Sequence, residues 1–119
     1  MTRRKGTVKR LVMLAAVLVV ALGTVAASAA ADAAEIPLVI EKNRFQPDVI
    51  NVKAGAPFVL VITNKDKGPE EFDMNQPRIE KVIPGGKTVR LKMPALKPGK
   101  YPFVGEYHSE TAKATIVAE

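Results

Sequence analysis

His108 is the single histidine of a 119-residue chain that contains no cysteine. Any site built on imidazole or thiolate ligands must therefore use His108. It stands in the run Gly105-Glu106-Tyr107-His108-Ser109-Glu110, and a second carboxylate-bearing run is Pro69-Glu70-Glu71-Phe72-Asp73-Met74. Brought together, the two runs make a carboxylate–imidazole cluster, a reasonable site for a divalent cation. Imidazole suits copper, zinc or iron, and added carboxylates favour iron and other harder ions. The leading candidate ligands are His108, Glu70 and Glu106, with Glu71 and Met74 behind them. Residue types alone leave an alternative open: a solvated loop histidine among surface glutamates, with Met74 filling the core. Catalytic machinery is scarce. No G-x-S-x-G segment supports a serine nucleophile, and Glu70 and Glu71, as strand neighbours, point to opposite faces rather than forming a pair.

The elements that must position these residues read as short strands. Apolar runs lie at 37–40, 49–52, 58–62, 71–74, 79–83, 88–93, 101–105 and 112–118, with Pro or Gly at most junctions. About eight strands at a spacing near ten residues are the pattern of an all-β sandwich or barrel. The run Phe58 to Ile62 is apolar throughout, as expected for a strand covered on both faces. Thr88 to Met93 alternates, sending Val89, Leu91 and Met93 inward. No stretch shows a 3.6-residue period, and nine prolines oppose long helices. If Phe72 is core, period two puts Glu70 and Met74 on its face. Tyr101, Phe103 and Gly105 likewise share a face, and His108 follows in the last loop. The cluster forms only if the two strands bring residue 70 and residues 106–108 to one end of the sandwich.

Charge and hydropathy divide the chain. Five of the 18 Lys and Arg residues fall in the first ten positions, and no acidic residue precedes Asp32. That leaves 13 basic against 12 acidic residues from Asp32 onward, so the basic balance does not argue for nucleic acid. The basic start, the apolar run Leu11–Leu22 and the Ala-x-Ala steps near residues 27–33 have the form of a secretory signal peptide. Residues 1–31 are expected to be removed, by cleavage after Ala29 or Ala31. Residues 32–119 are then a single domain outside the cytoplasm, periplasmic or secreted, and not embedded in the membrane. An uncleaved anchor is the rival reading of the same run.

Read in order, the segments resemble the cupredoxin family. Phe45-x-Pro47-x-x-Ile50-x-Val52-x-x-Gly55 is similar to its opening strands. Thr63-Asn64-Lys65-Asp66 followed by Pro69-Glu70-Glu71-Phe72 is similar to the strand and loop that deliver the first histidine ligand. Pro98-Gly99-Lys100-Tyr101-x-Phe103 resembles the approach to the ligand loop, and Gly105-x-x-His108 falls where the family has Cys-x-x-His. The resemblance implies a cupredoxin-like Greek-key β-sandwich over residues 36–119. It also marks departures: Glu70 stands at the first histidine position, Gly105 at the cysteine position, and the loop after His108 lacks the axial methionine. A blue-copper centre needs a thiolate and two imidazoles, which this inventory cannot supply.

A nearer resemblance is to cysteine-free cupredoxin-like proteins of bacterial ferrous-iron permease systems. It rests on Glu70-Glu71-Phe72, Ile83-Pro84-Gly85-Gly86-Lys87 and Gly105-Glu106-Tyr107-His108. It implies a periplasmic component of iron uptake that binds copper or iron and works with a membrane iron permease or a periplasmic iron-binding partner. The rivals are a copper-dependent ferroxidase and a metal-free periplasmic interaction module.

Overall fold

The computed structural model describes residues 32–119 together with residue 23. The expected signal peptide and its cleavage site lie outside the described residues. Among those residues, no helix is long and apolar enough to cross a membrane.

Strand β4, Phe58–Asn64, shows how the sandwich is built. Phe58, Leu60, Ile62 and Asn64 are buried, whereas Val59, Val61 and Thr63 are half-buried. The expectation of a strand covered on both faces is therefore corrected. Period two sends one row into the core, and the β-branched outer row lies on a partly solvated face. β4 sits inside a four-stranded sheet in the order β2-β1-β4-β7, with β1 Ala34–Glu41, β2 Arg44–Gln46 and β7 Thr88–Met93. β1 pairs with β4 in parallel and β7 pairs with it antiparallel. The second sheet has the order β3-β9-β8-β5-β6, from β3 Val49–Val52, β5 Glu70–Met74, β6 Ile79–Ile83, β8 Gly99–Gly105 and β9 Lys113–Ala118. In β7, Leu91 and Met93 are buried, while Val89 is half-buried and packs at the core's edge.

The inner faces meet in one core. Phe45 from the first sheet packs edge-on against Phe103 from the second, with ring centroids 4.9 Å apart. Phe72 lies 4.6 Å from the same Phe103 ring on the neighbouring strand. Leu38, Leu60, Ile62, Phe72, Met74, Ile83 and Ile116 are fully excluded from water. Burial of an aliphatic or aromatic side chain of this kind contributes about 1.5–3 kcal/mol.

The sequence pattern misses one strand. β2 is three residues long and folds back on β1 through Lys42 and Asn43, whose φ angles are 54° and 56°. A two-residue turn with positive φ at both positions matches the twist of a tight hairpin. The Asp66 carboxylate accepts the backbone N–H of Lys42 at 2.8 Å and of Asn43 at 2.9 Å, which holds the turn.

That contact belongs to a larger brace under the site. Asn64 is buried at the end of β4. Its amide donates to the carbonyls of Gly68 at 2.9 Å and Ile83 at 3.1 Å, and its carbonyl accepts the Asp66 N–H. Gly85 fits this brace because a Cβ there would lie 2.0 Å from the Lys67 carbonyl oxygen. The segment Ile83-Pro84-Gly85-Gly86-Lys87 thus seats the loop that leads into Glu70.

Candidate metal centre

Glu70 opens β5 and is 1% exposed, the most buried charged residue described. It shares the inward face with Phe72 and Met74, as period two requires. One carboxylate oxygen, Oε1, accepts the backbone N–H of Glu71 and of Tyr107, both at 3.0 Å. The other, Oε2, lies 2.7 Å from Nδ1 of His108. Three donors converge on one carboxylate, which leaves none of its oxygens unpartnered in the interior.

Two of the three donors, the Tyr107 N–H and the His108 ring, come from the turn that follows β8. Gly105 pairs with Phe72 across the β5–β8 ladder. The chain then turns through a single 3₁₀ turn, Glu106–His108. The His108 carbonyl accepts the N–H of Ala112 at 2.8 Å and of Thr111 at 3.1 Å, and Gly105 N–H donates to the Ala112 carbonyl at 2.9 Å. Thr111 Oγ1 donates to the Asn43 carbonyl at 2.6 Å, which ties this loop to the β1–β2 turn. The His108 side chain is 37% exposed against 2% for Glu70. His108 helps to line a shallow depression of about 450 Å³ with Asn43, Glu106, Tyr107 and Glu110.

The structure brings Glu70 and His108 together and sends Glu106 elsewhere. The Glu106 carboxylate joins Glu71 and Glu80, whose oxygens lie within 4.8 Å of one another on the outer face. Hydrogen bonding to Asp73, then the negative charges of Asp73 and Glu71, push the Glu106 carboxyl above its ordinary range. Partial desolvation, followed by a hydrogen bond to Glu71, pushes the Tyr107 phenol up as well. Arg78 offsets part of this charge through Asp73, at 3.0 Å, and Glu80. Met74 is fully buried, between Phe103 on β8 and Ile79 on β6.

Two supporting residues escape a reading of ligand types. Asn64 holds the loop before Glu70, and its signal was available as an Asn two residues ahead of an Asp, close to Gly68-Pro69. Gly105 was legible as a missing cysteine, but its packing was not. A Cβ built there would lie 2.6 Å from Glu70 Cδ, 2.8 Å from Glu70 Oε2 and 2.7 Å from the Ala112 Cβ. The space a cysteine would need is filled by the Glu70 carboxylate. With one imidazole and no thiolate, the residues present do not fit a blue-copper ion.

Comparison with known proteins places this geometry. The pattern describing the cupredoxin-like domain matches residues 12–118. An uncharacterized protein of Rickettsia prowazekii (strain Madrid E) is 30% identical over 83 residues, which is 70% of this chain and 66% of that protein. The chain thus matches just under two thirds of that relative's length. Auracyanin A, a blue copper protein of Chloroflexus aurantiacus, is similar in structure, with a TM-score of 0.62 at 13% identity over 71% of this chain and 98% of its own. The metal-binding domain of a Cu(I)-exporting P-type ATPase of Streptococcus pneumoniae D39 has a TM-score of 0.61 at 15% identity, over 71% and 84%. Amicyanin of Paracoccus versutus has a TM-score of 0.58 at 16% identity, over 75% and 83%.

Proposed function

The chain belongs to the cupredoxin-like domain family, and from that premise we propose that it is a periplasmic protein of ferrous-iron uptake that binds one divalent cation, copper or iron, at the His108 end of its sandwich. The Glu70–His108 contact carries this reading. The carboxylate engages Nδ1, so Nε2, on the opposite edge of the ring, is turned away from Glu70. A carboxylate behind an imidazole fixes the ring and raises its basicity as a ligand, a common arrangement behind metal-bound histidines. Glu110 borders the same depression, and a carboxylate is the kind of oxygen donor iron accepts; the Glu106 carboxylate is turned away to Glu71 and Glu80. The metal supplies a Lewis-acidic, redox-capable centre when bound; Glu70 orients the ring and the loop positions it. The uptake role and the membrane permease as partner rest on the resemblance of three segments, 70–72, 83–87 and 105–108, to proteins of ferrous-iron permease systems. Export to the periplasm rests on the form of residues 1–31.

Calorimetric titration tests the binding. Wild type takes up Cu(II), or Fe(II) under anaerobic conditions, at one site, and His108→Ala loses at least about tenfold in affinity, the scale of a lost ligand interaction. Equal affinity in His108→Ala defeats the reading. One observation then favours a metal-free interaction module instead: Glu70 is fully hydrogen-bonded by the protein itself, so this end of the sandwich is complete without an ion.

A further inference from the structure

We propose that the Glu70 carboxylate occupies the interior metal position of the fold and clamps the ligand loop in its place, holding His108 as the Nδ1–H tautomer. This holds whether or not a cation reaches Nε2, and so goes beyond the function proposed above.

The family resemblance implies an interior metal position among residues 70, 105 and 108, where the family has its first histidine, its cysteine and its second histidine. Here Glu70 Oε2 lies 2.7 Å from His108 Nδ1 and 2.8 Å from the place of a residue-105 Cβ. An ion bound to Nδ1 would sit about 2.0–2.1 Å from it, in the space the carboxylate already fills. Interior metal and the Glu70–His108 contact therefore exclude each other. Glu70 also performs the mechanical task of a shared ion. It joins β5 to the 3₁₀ turn through the Tyr107 N–H and the His108 ring, while its own strand supplies the Glu71 N–H. Gly105 completes the arrangement by leaving room for the carboxylate. A carboxylate only accepts hydrogen bonds, so the ring must present a proton at Nδ1. The neutral ring then keeps its lone pair on Nε2. Glu70 is thus a positioning residue that decides which nitrogen is offered to the outside.

Long-range proton–nitrogen NMR of the metal-free full-length protein, at a pH where the ring is neutral, reads this directly. Wild type should show Nδ1 protonated and Nε2 unprotonated. Glu70→Gln keeps shape and size; its carbonyl still accepts the two backbone N–H groups, and its NH₂ now faces Nδ1. The ring should switch to the Nε2–H tautomer while the amides of 71 and 107 stay protected. Glu70→Ala should lose that protection, with exchange faster by about tenfold or more. An Nε2–H tautomer in wild type, or no tautomer change in a folded Glu70→Gln, overturns the proposal. Occupancy has its own test in a double-mutant cycle on urea midpoints. Gly105→Ala should lower the midpoint much more in wild type than in Glu70→Ala, with Ala112 retaining part of the clash. Equal losses in both backgrounds overturn the claim that the carboxylate fills that space.

Discussion

Glu70 and Glu71 are adjacent, identical in type, and treated oppositely by the fold. Glu70 faces inward, where three donors are built around it. Glu71 faces outward, into a group of carboxylates with Glu80 and Glu106. The inner carboxylate is held by fixed dipoles and an imidazole in a medium where a lost partner is expensive. The outer ones repel each other across water and lean on Arg78. The lesson is that carboxylate count near a histidine says little about a site. The direction of the strand's pleat decides which carboxylate reaches the ring.

Substitutions on the two faces should separate them. Glu70→Ala has the largest expected effect. It strips partners from two backbone N–H groups and from the nitrogen of a partly exposed ring, and each donor left unsatisfied away from water costs about 1–3 kcal/mol in urea unfolding. A loss below 1 kcal/mol would place Glu70 with the outer carboxylates. Gly105→Cys comes next. It restores the family's cysteine but meets Glu70 and Ala112, and overpacking of this kind costs about 1–3 kcal/mol. Copper added to this variant should produce no intense blue band, because Glu70 still blocks the position and only one imidazole exists. An intense band would show that the carboxylate moves aside readily.

Asn64→Ala probes the brace rather than the clamp. It leaves the buried Ile83 carbonyl without its side-chain donor, and an unsatisfied buried group costs about 1–3 kcal/mol. Exchange of the Glu71 and Tyr107 amides should quicken with it, since the loop that seats Glu70 loosens. On the outer face, Glu71→Gln should change stability by no more than about 0.5 kcal/mol, as for most surface substitutions. Removing one negative charge from a repelling group predicts the stabilising direction. Destabilisation of Glu71→Gln by more than 1 kcal/mol would erase the contrast between the faces.

Much of this was legible in the residues. Alternation in Thr88–Met93, Pro and Gly at the strand junctions, and the inward placement of Glu70 beside Phe72 all follow from period two, which is local. The three-residue strand β2 was not legible. Its hairpin rests on Asp66, a side chain 23 and 24 positions from the amides it holds. The outer face of β4 was misread because apolar β-branched residues suit a half-exposed pleat as well as a buried one. Glu106 was expected beside His108 because the two share a loop. The 3₁₀ turn instead sends its carboxylate to β5 and β6, a rotation that sequence spacing does not reveal.

The sequence by itself determined the inventory: one imidazole, no thiolate, and glycine where a cysteine would stand. That inventory excludes a blue-copper centre under any fold, because ligand chemistry depends on which atoms exist. It also determined the sandwich, since strand period and turn residues act over a few positions. Only the tertiary structure decided what fills the vacated space. Residues 70, 105, 108 and 112 meet through pairing between β5, β8 and β9, and a clash of 2.6 Å or a hydrogen bond of 2.7 Å exists only once those strands are in register.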